Sequence, residues 1–144
     1  MTLISEYFFY FIRMANPYEK YLGKEDKLQH RIVQLLDYEF PHVIFTHPNN
    51  EGKRTPFERF KIKYLGVKAG VPDILIFNAC SGFNGLAIEL KVGYNKATES
   101  QARWIKQLNA VGWKAEVCRD YESAKALIIK YMSCLLYTSD AADE

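Results

Sequence analysis

The sequence predicts an α/β protein, a small mixed β-sheet flanked by helices in the order α-β-α-β-β-α-β-α. Three observations lead there. Apolar residues recur at helical spacing in four separate stretches. Between these lie apolar runs of strand length, HVIFTH, DILIF, LAIELKV and WKAEVC. The two kinds mix along the chain instead of segregating, which favours helices layered on one sheet. With 144 residues, 49% of them hydrophobic and 15% aromatic, the chain can bury one core without disulfides.

The first helix spans Glu25 to about Phe40, where Leu28, Ile32, Leu35 and Leu36 form one face and Pro41 ends the run. HVIFTH (42–47) follows as a short strand, then the turn-rich loop PNNEGKR. Thr55-Pro56-Phe57-Glu58 is a helix start: Thr55 caps, Pro56 suits the first helical position, and Glu58 completes a capping box. That helix should run to Leu65 and stop at Gly66, with Phe57, Phe60 and Tyr64 as its apolar stripe. DILIF (73–77) and LAIELKV (86–92) are strands joined by the hairpin-like connection NACSGFNG. Thr98-Glu99-Ser100-Gln101 opens a second capped helix carrying Trp104, Ile105, Leu108 and Val111, with Gly112 as the stop. WKAEVC (113–118) is the last strand, and Tyr121–Met132 the last helix.

Both ends stand apart from this pattern. Residues 134–144, CLLYTSDAADE, read as a translated sequencing-library adaptor and are set aside. Residues 1–14 are apolar but too short to span a bilayer, and Glu6 interrupts them. They read equally as a packing helix or as sequence upstream of a true start at Met14. No membrane association is expected. Cys80, Cys118 and Cys134, with His30, His42 and His47, show no zinc-like spacing. The cysteines are therefore expected as ordinary small apolar residues in a reducing, cytoplasmic setting.

The whole chain has a net charge of +2. Setting aside one base and four acids (Arg13 against Glu6, Asp140, Asp143 and Glu144) raises it to +5. The surplus is local, since Lys53, Arg54, Arg59, Lys61, Lys63 and Lys68 meet only Glu58 within residues 53–68. Such a stretch suits a polyanion, although a basic run is often only a solvated face.

Acids in the two central strands call for explanation. Side chains alternate faces in a strand, so Glu89 and Lys91 share one side while Ile88, Leu90 and Val92 take the other. If DILIF pairs beside LAIELK, Asp73 lies near Glu89. Two adjacent carboxylates repel unless a cation sits between them, and Mg²⁺ or Mn²⁺ suits oxygen ligands. Lys91 would stabilise charge on a scissile phosphate more readily than act as a base, because its ordinary pKa is about 10.4. On these three residues alone, a strand-start Asp beside a solvated Glu–Lys pair is the plainer reading.

Longer stretches alter the balance. Pro72-Asp73 followed by Glu89-Leu90-Lys91 resembles the PD-(D/E)xK nuclease superfamily. GVPDILIF, GLAIELK and ATESQARWIKQLNAVGWKAEVC resemble its VRR-NUC family, in a standalone phage or bacterial form. The likeness extends upstream through EDKLQHRIVQLL and FTHPNNEGKR and covers roughly residues 24–132. It implies a restriction-endonuclease-like fold over residues 15–133 and metal-dependent endonuclease cleavage of DNA, often branched or at a Holliday junction, with Mg²⁺ or Mn²⁺. It carries over Asp73 and Glu89 as metal ligands, Lys91 as the catalytic lysine and Gln101 as a supporting residue. Glu25 is a further metal ligand on the same analogy, with Asp26 or Gln29 as alternatives. Lys53, Arg54, Arg59 and Lys63 are expected to meet DNA phosphates, helped by Asn49 and Asn50. A homodimer is expected by analogy with small members of the family. Upstream of Pro72, Lys68-Ala69-Gly70-Val71 departs from the arginine-ended pattern behind the family's name. Two alternatives stay open: a non-catalytic nucleic-acid-binding module, and a nickase, flap nuclease or exonuclease with the same chemistry.

Overall fold

A computed structural model describes residues 16–49 and 52–134. The residue 1–14 extension and most of the adaptor-like tail lie outside them. After a single 3-10 turn at Pro17–Tyr21, the elements are α1 (Lys24–Glu39), β1 (Phe45–Thr46), α2 (Pro56–Tyr64), β2 (Ile74–Ile76), β3 (Leu86–Leu90), α3 (Glu99–Ala110), β4 (Lys114–Cys118) and α4 (Tyr121–Met132). This is the expected order. The strands lie side by side in chain order, with β1/β2 and β2/β3 antiparallel and β3/β4 parallel. The parallel step needs a crossover, and α3 supplies it.

Helix starts follow local chemistry. Thr55 accepts the Glu58 N–H while the Glu58 carboxylate accepts the Thr55 N–H at 2.8 Å. Thr98 and Gln101 repeat the exchange at α3, and the Asp120 side chain caps α4. Each exchange satisfies N–H groups that the first turn leaves without partners.

The core sits on one face of the sheet. Leu28, Ile32, Leu35 and Leu36 of α1 and Ala124, Ile128, Tyr131 and Met132 of α4 pack on Ile74, Ile76, Leu86, Ile88 and Leu90. Arg31 lies over the Tyr121 ring at 3.9 Å and ties the two helices together. Every residue of β3 is buried, as expected for a strand paired on both edges and covered on both faces.

Three expectations need correction. HVIFTH yields only a two-residue strand, because Pro41 and His42 form a turn closed by the Val43 N–H on Phe40 O. Its pairing continues irregularly, with Asn78 Oδ1 accepting the Ile44 N–H. The Phe57, Phe60 and Tyr64 stripe does not face the sheet; α2 buries none of its residues. Cys80 and Cys134, expected as separate apolar residues, form a disulfide with Cα atoms 5.9 Å apart. Their separation of 54 residues leaves no local signal. They meet because the turn after β2 folds beneath the end of α4. There Tyr131 Oη donates to Asn78 O and Ser81 Oγ donates to Tyr131 O. Cys118 is buried and unpaired, as expected.

Candidate active site

The β2/β3 register sets Ile74 across from Ile88, so one residue further along Asp73 faces Glu89. Since Ile74 and Ile88 belong to the core, Asp73, Glu89 and Lys91 project from the opposite face. The carboxylate of Asp73 is held in place: its Oδ2 accepts the Leu90 N–H at 2.7 Å. Lys91 Nζ lies 3.0 Å from Glu89 Oε1. The three residues singled out from the sequence are therefore together.

Glu89 is buried, with its side chain 1% exposed. Lys91 pairs with Oε1, and apart from that contact neither Glu89 oxygen has a hydrogen-bond partner among the described residues. Burial pushes its carboxyl up to about 7, the negative charge of Asp73 adds to the rise, and Lys91 opposes both. Lys91 is raised above its ordinary value; burial, the largest influence, works against the rise, but Glu89, Glu25 and Asp73 together outweigh it. It is therefore a protonated donor at neutral pH. A buried carboxylate is costly to the fold, and one ammonium does not satisfy two oxygens.

This donor set fits a hard divalent cation. Mg²⁺ takes few carboxylates and keeps several waters, so two adjacent acids suffice. Among the described residues no group of three His, Cys, Asp or Glu side chains is arranged to hold a metal. Glu25 comes close enough to act on both Glu89 and Lys91. Its Oε1, however, accepts from the Val92 N–H at 3.3 Å and from Asn95 Nδ2 at 3.1 Å. Glu25 thus braces the chain leaving β3. Asp26 is exposed and accepts the Gly23 N–H at 2.7 Å, while Gln29 is half-buried on the same helix. Gln101 Oε1 is engaged in its capping box with the Thr98 N–H.

Several supports of Asp73 lie far from it in sequence. His47 Nδ1 donates to Asp73 O at 2.7 Å, which fixes the proton on that nitrogen. Trp104 Nε1 donates to Ala69 O at 3.0 Å. Gly70 has a φ of +85°, and a Cβ there would sit 2.6 Å from the Ser100 carbonyl carbon. Only glycine lets residues 69–72 press against the start of α3, which brings Gln101 beside the Asp73 loop. Sequence reasoning missed His47, Trp104 and Asn95 in these roles. The hints were that His47 lies in the FTHPNNEGKR stretch and Trp104 in ATESQARWIKQ.

The basic residues gather elsewhere. Asn49, Gly52, Lys53, Arg54, Glu58, Arg59 and Ile62 line shallow adjoining grooves between the loop and α2, and Arg54 Nη2 donates to Asn49 O at 3.4 Å. Lys63 is exposed on the same helix, and Asn50 lies outside the described residues. Asp73 and Glu89 are not part of these grooves, whereas Glu58 is.

A four-stranded mixed sheet with paired acids and a lysine on its two central strands defines a restriction-endonuclease-like α/β domain. The family is equally plain. The profile of the VRR-NUC domain matches residues 18–120, most of the chain, so the protein belongs to the VRR-NUC family, a nuclease-type family. A solved structure described as a VRR_NUC domain protein is similar, with a TM-score of 0.62 and 29% identity. The match covers 78% of this chain and 91% of that one. No curated protein matches. Among the described residues no helix is long and apolar enough to cross a membrane.

Proposed function

We propose that the protein is a Mg²⁺- or Mn²⁺-dependent endonuclease that hydrolyses DNA phosphodiesters, acting on branched or junction DNA. One observation carries the reading: Glu89 is buried beside Asp73, and among the described residues Lys91 is the sole partner of its two oxygens. A structural carboxylate would have been given donors for both oxygens, not one ammonium. A cation-binding one is left open on purpose, and function accounts for the cost.

In this reading Asp73 and Glu89 hold the cation, which when bound polarises the scissile phosphate and acidifies a water. Lys91, fixed by Glu89, is positioned to donate to the phosphate oxygens as negative charge builds on them. The hydrogen bond from the Leu90 N–H keeps Asp73 oriented, and His47 and Trp104 hold the backbone that carries it. Glu25 fixes the exit of β3. Gln101 acts through its cap, which sets the first turn of α3 against the Asp73 loop.

The test uses Asp73→Asn on a panel of labelled four-way, forked, flapped and linear duplexes, with Mg²⁺, Mn²⁺ or EDTA. Cleavage should fall by more than the roughly 10–100-fold that losing a mere support of a metal ligand costs. DNA binding should persist. Full activity of the variant, or metal-independent cleavage by the parent, refutes the reading. Cutting both strands of a junction calls for two copies related by a twofold axis, which light scattering of the free and junction-bound protein checks.

A further inference from the structure

The unassigned feature is the aromatic face of α2. Phe57, Phe60 and Tyr64 are 69%, 63% and 79% exposed, and Leu65 and Val67 just beyond the helix are exposed as well. Phe60 and Tyr64 lie with ring centroids 5.7 Å apart, tilted by 31°. The loop of residues 52–54 packs over the opposite side of the helix, beside Arg59 and half-buried Ile62. The aromatic side is therefore left uncovered by the fold among the described residues.

Charge indicates what would cover it. At about 100° per residue, Phe57, Phe60 and Tyr64 fall in one narrow stripe. Lys61 borders that stripe on one side and Lys63 on the other, with Arg59 beyond Lys63. Glu58 is the only acid on α2 and lies away from the stripe, bound to Thr55. A second copy docking face to face would set these lysine borders against themselves, because a twofold interface pairs a patch with its own image. An unpaired polynucleotide fits both features: bases stack on the rings and phosphates meet the cations on either border.

The segment that carries α2 is also rooted at the candidate active site. The chain leaves the sheet at His47, bonded to Asp73 O, and returns through Ala69 and Gly70, held against α3. We infer that the aromatic face of α2 is a binding site for unpaired nucleotides, directing the enzyme to DNA in which a single strand leaves the duplex. The inference rests on the nucleic-acid reading above.

The test compares the full chain with a Phe57→Leu/Phe60→Leu/Tyr64→Leu variant, which keeps an apolar helix but removes the rings. Fluorescence anisotropy in EDTA measures binding of labelled oligothymidine of about 15 nucleotides and of a blunt duplex of the same length. The expected result is at least about a 10-fold loss of single-strand affinity, with duplex affinity unchanged within about 2-fold. A Lys61→Gln/Lys63→Gln variant should lower the single-strand salt slope by about 1.4. No loss, an equal loss on both ligands, or conversion of a dimer to a monomer by the leucine variant overturns the inference. Because no metal is present, a chain that binds without cutting leaves it standing. A parent chain that binds neither ligand removes the nucleic-acid reading itself.

Discussion

Replacing Glu89 with Gln should stabilise the metal-free protein at neutral pH and flatten its pH dependence. Burial and the adjacent Asp73 move the Glu89 carboxyl from 4.5 up to about 7. Below pH 4.5 the folded and unfolded chains both hold the proton. Between 4.5 and 7 the unfolded chain releases it first, so the unfolded state binds fewer protons and stability falls as pH rises. Above 7 both are ionised and the full penalty stands. A gap of about 2.5 pH units at 1.36 kcal/mol each is roughly 3 kcal/mol. For a chain of this length that is a Tm shift of roughly 6–12 °C, since each kcal/mol moves Tm by about 2–4 °C. Gln still offers Lys91 an acceptor, so the gain should survive the substitution. The assay is thermal melting by circular dichroism in EDTA from pH 5 to 8. The parent should lose Tm across that range and Glu89→Gln should hold it. Added Mg²⁺ at 100 times its Kd should restore about 2.7 kcal/mol to the parent and nothing to the variant. Parallel pH slopes in the two proteins would refute the claim that Lys91 compensates the burial of Glu89 only in part, and with it the main argument for a cation.

Other outcomes follow from the same geometry. Lys91→Gln should keep the Mg²⁺-induced rise in Tm while cleavage falls about 10²–10³-fold, the usual cost of losing a donor to developing charge. Gly70→Ala should cost about 1–3 kcal/mol in a melt and lower cleavage too, because a Cβ would meet the Ser100 backbone and displace the Asp73 loop. Arg54→Gln/Arg59→Gln should lower the slope of log affinity against log salt on duplex DNA by about 1.8 while leaving Mg²⁺ binding intact. An unchanged slope would make that groove a solvated surface only.

Local sequence determined the elements of this protein. The capping boxes at Thr55 and Thr98, the stop at Gly66 and the apolar period of α1 act within a few residues, so the order of helices and strands was legible. Alternation within LAIELK likewise put Glu89 and Lys91 on one side of their strand, because that period is a property of the backbone. Pairing and burial belong to the tertiary structure. The β2/β3 register alone set Asp73 against Glu89, and packing alone sealed Glu89 from water beside a single ammonium. His47, Trp104 and Asn95 reach the site across 26, 35 and 70 residues, distances at which no motif carries information. The stripe of α2 has the period of a core helix, yet it faces solvent because the sheet's core face is already filled by α1 and α4. Periodicity specifies which residues share a face; only the competition for space in the folded chain decides what that face meets.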